Sequence, residues 1–383
     1  MLKINKENII LYLLILACFT SNLSQLPFVV NLGMTQIVNI PIWILLFIYI
    51  FVFNKIYINK YLSILFIMIN IIIICCFIFP LFTGNQYLNS SILWSLLTSI
   101  YIYILGLFCS RSLDEKKLKK IFLSYIISTL IVAVVIYVEY FWGKETLTST
   151  VYAYSSKNSI SQIIFTSIII LIFFKYKNFR IKNLLYIICI LFQSTLLFLL
   201  RSRATIVGYL LCLGYILFEK KVSLKLRKGI FFTLFLFFII ILLNYNIMNI
   251  FIYRILFASR SFNNIDDLTS GRISILSEFP NLIGDDLFTG IGSIYFECFP
   301  LSVILNFGIF IGTIVLIISY SPIFYSIKNR KKTRYDTLFF LICIGYFFNS
   351  LFEGLAPIGP GVKCYFMWLM YGILQGREKG SYE

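Results

Sequence analysis

The chain has 383 residues, of which 60 % are hydrophobic and 13 % charged, with a formal net charge of +17 and a mean hydropathy of +0.91. A soluble chain carries about 45–50 % apolar and about 25 % charged residues. The composition therefore excludes soluble domains and predicts an all-α, polytopic integral membrane protein built as a single membrane domain over 1–383. There is no histidine, which excludes a Ser-His-Asp triad, a Cys-His dyad, histidine-ligated zinc and an imidazole base.

A helix needs roughly 20 apolar residues to cross a bilayer. The apolar runs predict about 12 transmembrane helices, at about 9–30, 36–53, 61–82, 88–109, 121–142, 159–174, 183–200, 204–218, 229–249, 298–319, 337–356 and 362–376. Ser21, Asn22, Ser24, Gln25 and Pro27 predict a break in the outer half of the first. The last is short enough to be tilted or re-entrant. Lys3, Lys6 and the apolar run to Ala17-Cys18 have the outline of a signal segment, but the spans that follow favour an ordinary first transmembrane helix. As one helix, 183–218 would measure about 54 Å. It must fold back, and Arg201-Ser202-Arg203 is its polar break.

With the N-terminus in the cytoplasm, 25 of the 33 lysines and arginines fall on inner segments, in clusters such as Arg111–Lys120, Lys220–Lys228 and Lys328–Arg334. The other 8 lie outside. This is the positive-inside pattern, with both termini cytoplasmic. The basic charge thus reads as topology and contact with anionic lipid, and it calls for no nucleic-acid partner. The nine cysteines show no metal spacing and read as small apolar filler, with a Cys298–Cys364 bridge left open. No metal and no cofactor is expected, since neither a P-loop nor a dinucleotide-binding glycine motif occurs in the right setting. No internal repeat of the kind found in many transporters is evident.

One outer loop is long, at about 250–297. Loops of this length are usually functional. Residues 251–262 mix Phe251, Ile252, Ile255, Leu256 and Phe262 with Arg254 and Arg260, as an interfacial helix does. Ser270 can cap a short helix starting near Arg272, which Pro280 and Gly284 would end. Gly290-Ile291-Gly292 permits a close backbone approach. Asp266-Asp267 and Asp285-Asp286 have the chemistry for a divalent ion, but read better as solvated loop acids.

These motifs together carry a resemblance. Gly271-Arg272, Gly290-Ile291-Gly292, Glu297, Leu305-Asn306-Phe307-Gly308 and Gly312 follow in the order seen in the O-antigen polymerase/ligase superfamily. Leu200-Arg201-Ser202-Arg203-Ala204 resembles the Ser-Arg element that opens a helix in that family. Asn349-Ser350-Leu351-Phe352-Glu353 and Trp368 to Gly372 resemble its C-terminal end. The ordered motifs cover about 190–376, and the N-terminal half matches only as a set of spans.

The resemblance implies a Wzy-type polymerase that joins undecaprenyl-diphosphate-linked repeat units at the outer leaflet of the bacterial cytoplasmic (inner) membrane, for O-antigen, capsule or exopolysaccharide. Its partners would be lipid-linked glycan donor and acceptor, membrane lipid and a chain-length regulator. A diphosphate suits the planar, permanently charged fork of arginine, which points to Arg201, Arg203 and Arg272, with Arg254 and Arg260 as further diphosphate-binding candidates. Glu297 and Glu353 are the expected catalytic acids, ahead of Glu139, Asp266 and Asp267, and one of them would take the acceptor proton. The ligases of the family carry a functional histidine in the outer loop, where this chain has Glu297, so a polymerase is expected over a ligase. A lipid-linked oligosaccharide flippase or other transporter is the alternative from another class. It fits less well because charges gather at the outer face instead of mid-span.

Overall fold

The computed structural model describes residues 6–53, 60–142, 156–173, 181–219, 272–359 and 361–380, with isolated helical positions between 224 and 243. Among the described residues the regular structure is all helical. The helices are α1 (Lys6–Leu23), α2 (Pro27–Asn31), α3 (Thr35–Phe53), α4 (Lys60–Ile78), α5 (Pro80–Thr83), α6 (Ser91–Cys109), α7 (Glu115–Tyr140), α8 (Lys157–Phe173), α9 (Ile181–Leu199), α10 (Arg203–Phe218), α11 (Arg272–Ile283), α12 (Phe299–Asn329), α13 (Arg334–Ser350) and α14 (Tyr365–Gly380). Six segments, Lys6–Leu23, Thr35–Phe53, Tyr61–Thr83, Ser91–Ser112, Glu115–Tyr140 and Phe299–Asn329, are long and apolar enough to cross a membrane.

The predicted break in the first apolar run is present. α1 stops at Leu23 and α2 starts on Pro27, whose fixed φ suits a first helical turn. The chain also folds back at Arg201-Ser202-Arg203, between α9 and α10. Two expectations are corrected. Pro280 does not end its helix: α11 absorbs the missing N–H and gives way only at Gly284, where φ is +43°. The run predicted at 298–319 continues to Asn329 and is broken at Gly308 into two helical parts. Cys298 and Cys364 are both free thiols. The runs at 229–249 and 251–262 lie largely or wholly outside the described residues.

α8 is the central helix. Every residue from Ile160 to Phe173 is buried, as expected of a helix that is apolar all round. α14 lies against α6 at backbone distance. A Cβ on Gly372 would stand 2.1 Å from the Tyr103 carbonyl oxygen, and one on Gly106 2.4 Å from the Leu369 carbonyl oxygen. Small residues four apart, here Gly372 and Gly376, permit that approach. Hydrogen bonds tie the N-terminal helices together: Asn22 Nδ2 donates to Ser128 Oγ (2.9 Å) and Thr129 Oγ1 (3.0 Å), and Trp43 Nε1 donates to Ser21 Oγ (2.9 Å). The outward faces carry Phe51, Ile67, Phe77, Phe310 and Phe324, all exposed. Such a surface is at home in hydrocarbon, not water.

The two ends of the bundle differ. At one end Lys117 pairs with Glu7 (2.5 Å), Tyr335 donates to Glu115 (2.9 Å), Lys332 pairs with Glu378, and Arg334 and Arg377 donate to the carbonyls of Phe173 and Leu113. α13 begins there with a reciprocal cap between Thr333 and Asp336. Thr333→Ala should cost about 1 kcal/mol, read as a lowered denaturant midpoint in detergent.

Candidate functional site

The opposite end is formed by the starts of α6, α8, α10 and α14 and the ends of α9 and α13. Arg201 occupies the α9–α10 turn at φ +53°, the sole non-glycine residue with positive φ among those described. This turn is irregular, so Arg201 and Arg203 do not share one regular helix. Arg201 is 6 % exposed, whereas Arg203 is half-buried. The turn is anchored to α13: Ser202 and Thr205 hydroxyls share a hydrogen bond (3.0 Å), and Thr205 Oγ1 donates to Asn349 Oδ1 (2.9 Å). A strained backbone that buries a permanent cation costs stability, so the surrounding contacts must hold it in place.

Past Asn349 the chain leaves α13 and turns back into the bundle. Residues 353–359 are all buried. Ser99 Oγ donates to the Ile358 carbonyl (2.8 Å) and Trp368 Nε1 to that of Pro357 (3.1 Å). This inturned segment carries Glu353 (7 % exposed) and Lys363 (2 % exposed). Lys363 Nζ donates to Glu353 Oε2 at 2.7 Å, and Gln162 Nε2 of α8 donates to the same oxygen at 3.0 Å. Tyr346 donates to the Lys363 carbonyl, fixing the segment against α13.

The segment before α12 lies over Glu353. A Cβ on Gly354 would be 2.3 Å from the Phe296 carbonyl oxygen and 3.0 Å from the Tyr295 ring. The Tyr295 phenol is pushed above its ordinary value, first by desolvation, then by the Glu297 and Glu353 carboxylates, with Lys363 opposing. Both expected catalytic acids therefore act on one tyrosine. Glu297 is exposed there, and Glu353 is buried beneath.

The two glycine motifs clasp each other. Ile291 N donates to the Leu305 carbonyl (2.7 Å), and Asn306 Nδ2 donates to the Ile294 carbonyl (2.7 Å). Tyr87 donates to the Gly290 carbonyl (2.9 Å) and Ser90 to Asn306 Oδ1 (2.9 Å). Gly308, at φ +69° and ψ 178°, breaks α12 where this loop crosses it. The motifs fix the loop that carries Tyr295 and Glu297, and their chemistry is structural.

The structure thus brings Arg201, Arg203, Glu297 and Glu353 to one end. Glu139 is exposed near the end of α7. Arg254, Arg260, Asp266 and Asp267 lie outside the described residues, and Arg272 is described only as the first residue of α11. Sequence reasoning missed Gln162, Tyr295 and Lys363. The signal for Lys363 was present: a lone lysine within an apolar stretch is expensive unless paired. A further buried amide, Gln193 of α9, leaves both its polar atoms without a partner among the described residues. Gln193→Leu should raise stability by about 1–3 kcal/mol, seen as a higher thermal midpoint. Among the described residues no acidic or cysteine cluster is fit to hold a metal ion. No family model matches the chain, and no curated protein matches it.

Proposed function

We propose that the chain is a twelve-span Wzy-type polymerase of the bacterial cytoplasmic membrane, with both termini and the basic end of the bundle in the cytoplasm. The reading rests on one observation: a buried, backbone-strained Arg201 stands at the same end as a buried carboxylate, opposite the end that holds Lys117, Lys332, Arg334 and Arg377. That end would then face the outer leaflet, where polyprenyl-diphosphate-linked glycans present their sugars.

In this reading the donor glycan hangs from polyprenyl diphosphate, whose oxygens Arg201, Arg203 and Arg272 hold, with Arg254 and Arg260 on the adjoining loop. A hydroxyl of the acceptor unit attacks the donor's anomeric carbon. The new bond joins the acceptor oxygen to that carbon, and the bond to the diphosphate breaks, its electron pair leaving with the phosphate. The acceptor proton passes to a carboxylate, Glu353 or Glu297. The fixed guanidinium charges stabilise the leaving diphosphate. No cofactor takes part.

The test is the size distribution of lipid-linked and surface glycan after deletion of the gene, with complementation by wild type and by Arg201→Ala. Single repeat units alone in both the deletion and the Arg201→Ala strain support the polymerase. Long lipid-linked chains that never reach their final carrier point to an O-antigen ligase. Single units trapped on the inner leaflet point to a flippase. An unchanged profile overturns the assignment.

A further inference from the structure

The Glu353 carboxylate is only half satisfied. Lys363 Nζ and Gln162 Nε2 both donate to Oε2, while Oε1 is buried and accepts nothing from the described residues. Gln162, fully buried, gives its amide N–H to Glu353, yet its own Oε1 has no donor among the described residues either. Two acceptors without a donor among the described residues therefore sit on side chains joined by one hydrogen bond. A folded protein rarely leaves buried acceptors empty, and each such atom asks for an occupant.

Charge narrows the occupant. Lys363 already neutralises Glu353, so a metal ion or an ammonium would bring uncompensated charge into a buried place. An anion would meet the carboxylate. A neutral ligand with two neighbouring O–H donors matches, and adjacent hydroxyls on a sugar ring have that form. The depth is modest: Gln162 is five residues into α8, about 8 Å from its start. Above lies Tyr295, packed on Gly354 and 65 % exposed, an aromatic face against which the C–H side of a sugar can rest.

We propose that Glu353 Oε1 and Gln162 Oε1 are the paired acceptors of a carbohydrate subsite that takes two adjacent hydroxyls of the acceptor sugar, with Tyr295 against its apolar face. The assignment to the acceptor sugar rests on the polymerase reading, whereas the subsite itself rests on the unpaired oxygens. Glu353 then aligns the acceptor unit as well as standing near its reacting hydroxyl.

The test uses the full chain in lipid nanodiscs and saturation-transfer NMR with methyl glycosides of glucose, galactose, mannose and N-acetylglucosamine. At least one should bind. Its analogue lacking one hydroxyl of an adjacent pair should bind about tenfold or more weakly, the worth of one hydrogen bond of about 1.4 kcal/mol. Gln162→Met should bring the same loss in a protein that still melts cooperatively. If that variant does not fold, the deoxy comparison on wild type decides alone. Water as the sole occupant would show as no glycoside binding, which overturns the subsite, as would equal binding to Gln162→Met. In cells, chain growth stopped by Arg201→Ala but normal in a folded Gln162→Met would sink the subsite and spare the polymerase. An unchanged glycan profile on deletion, with glycoside binding retained and dependent on Gln162, would do the reverse.

Discussion

Lys363→Met is expected to destabilise the protein by about 3–5 kcal/mol, the cost of leaving one member of a buried ion pair alone. Lys363 Nζ lies 2.7 Å from Glu353 Oε2, and both side chains are almost wholly removed from solvent. Without the ammonium, only the neutral Gln162 amide still faces that oxygen, and the second carboxylate oxygen has no donor among the described residues. The double variant Lys363→Met with Glu353→Gln should regain most of the loss, because an apolar or neutral replacement of both partners is often neutral. Denaturant unfolding in detergent micelles, with both single variants and the double, measures the coupling. A Lys363→Met protein as stable as wild type would mean that the pair is not what holds the inturned segment. Glycan chain length separates the two roles: the double variant should fold yet fail to extend the glycan.

Gly308→Ala is expected to cost about 3 kcal/mol or more. Its φ of +69° with ψ of 178° belongs to a region that glycine alone adopts readily, and strain there is worth about 1–3 kcal/mol. Packing adds to it. An alanine Cβ would sit 2.1 Å from the Phe288 carbonyl oxygen and 2.8 Å from the Thr289 carbonyl carbon, all backbone that has no rotamer to yield. Gly290 faces the same crossing from the other side, where an added Cβ would stand 2.4 Å from Gly308 N. Gly290→Ala and Gly308→Ala should therefore be non-additive, since either one already forces the loop off α12. Gly214, in α10 with nothing within 4 Å of its Cβ position, is the control. Gly214→Ala should be neutral or slightly stabilising. Thermal melting of the four proteins suffices.

Helix content and the places of the apolar runs among the described residues were readable because hydrocarbon demands long apolar segments and little else, but their ends were not: the run read at 298–319 goes on to Asn329. The fold-back at Arg201-Ser202-Arg203 was readable for the same reason: a doubled span cannot stay straight. What the Gly-x-Gly and Asn-Phe-Gly motifs do for each other was not readable. They lie more than a dozen residues apart and join through backbone hydrogen bonds, and although the crossing requires glycine at 290 and 308, nothing in either motif names the other as its partner. The pairing of Glu353 with Lys363 was half readable. Each residue is costly in an apolar run, but the intervening turn, and the choice of Gln162 on a distant helix as second donor, depend on tertiary packing. Tyr295 looked like one aromatic among many, and only its seat on Gly354 sets it apart.

The inturned segment also sets an order of assembly. Glu353 is synthesised before Lys363, and α14, which closes the segment against α6, follows every other described helix. Until that helix inserts, the bundle holds a carboxylate whose counter-ion has not yet docked. A nascent chain that holds Glu353 but not yet Lys363 carries a carboxylate without its counter-ion, so insertion of this last described helix and burial of that charge go together.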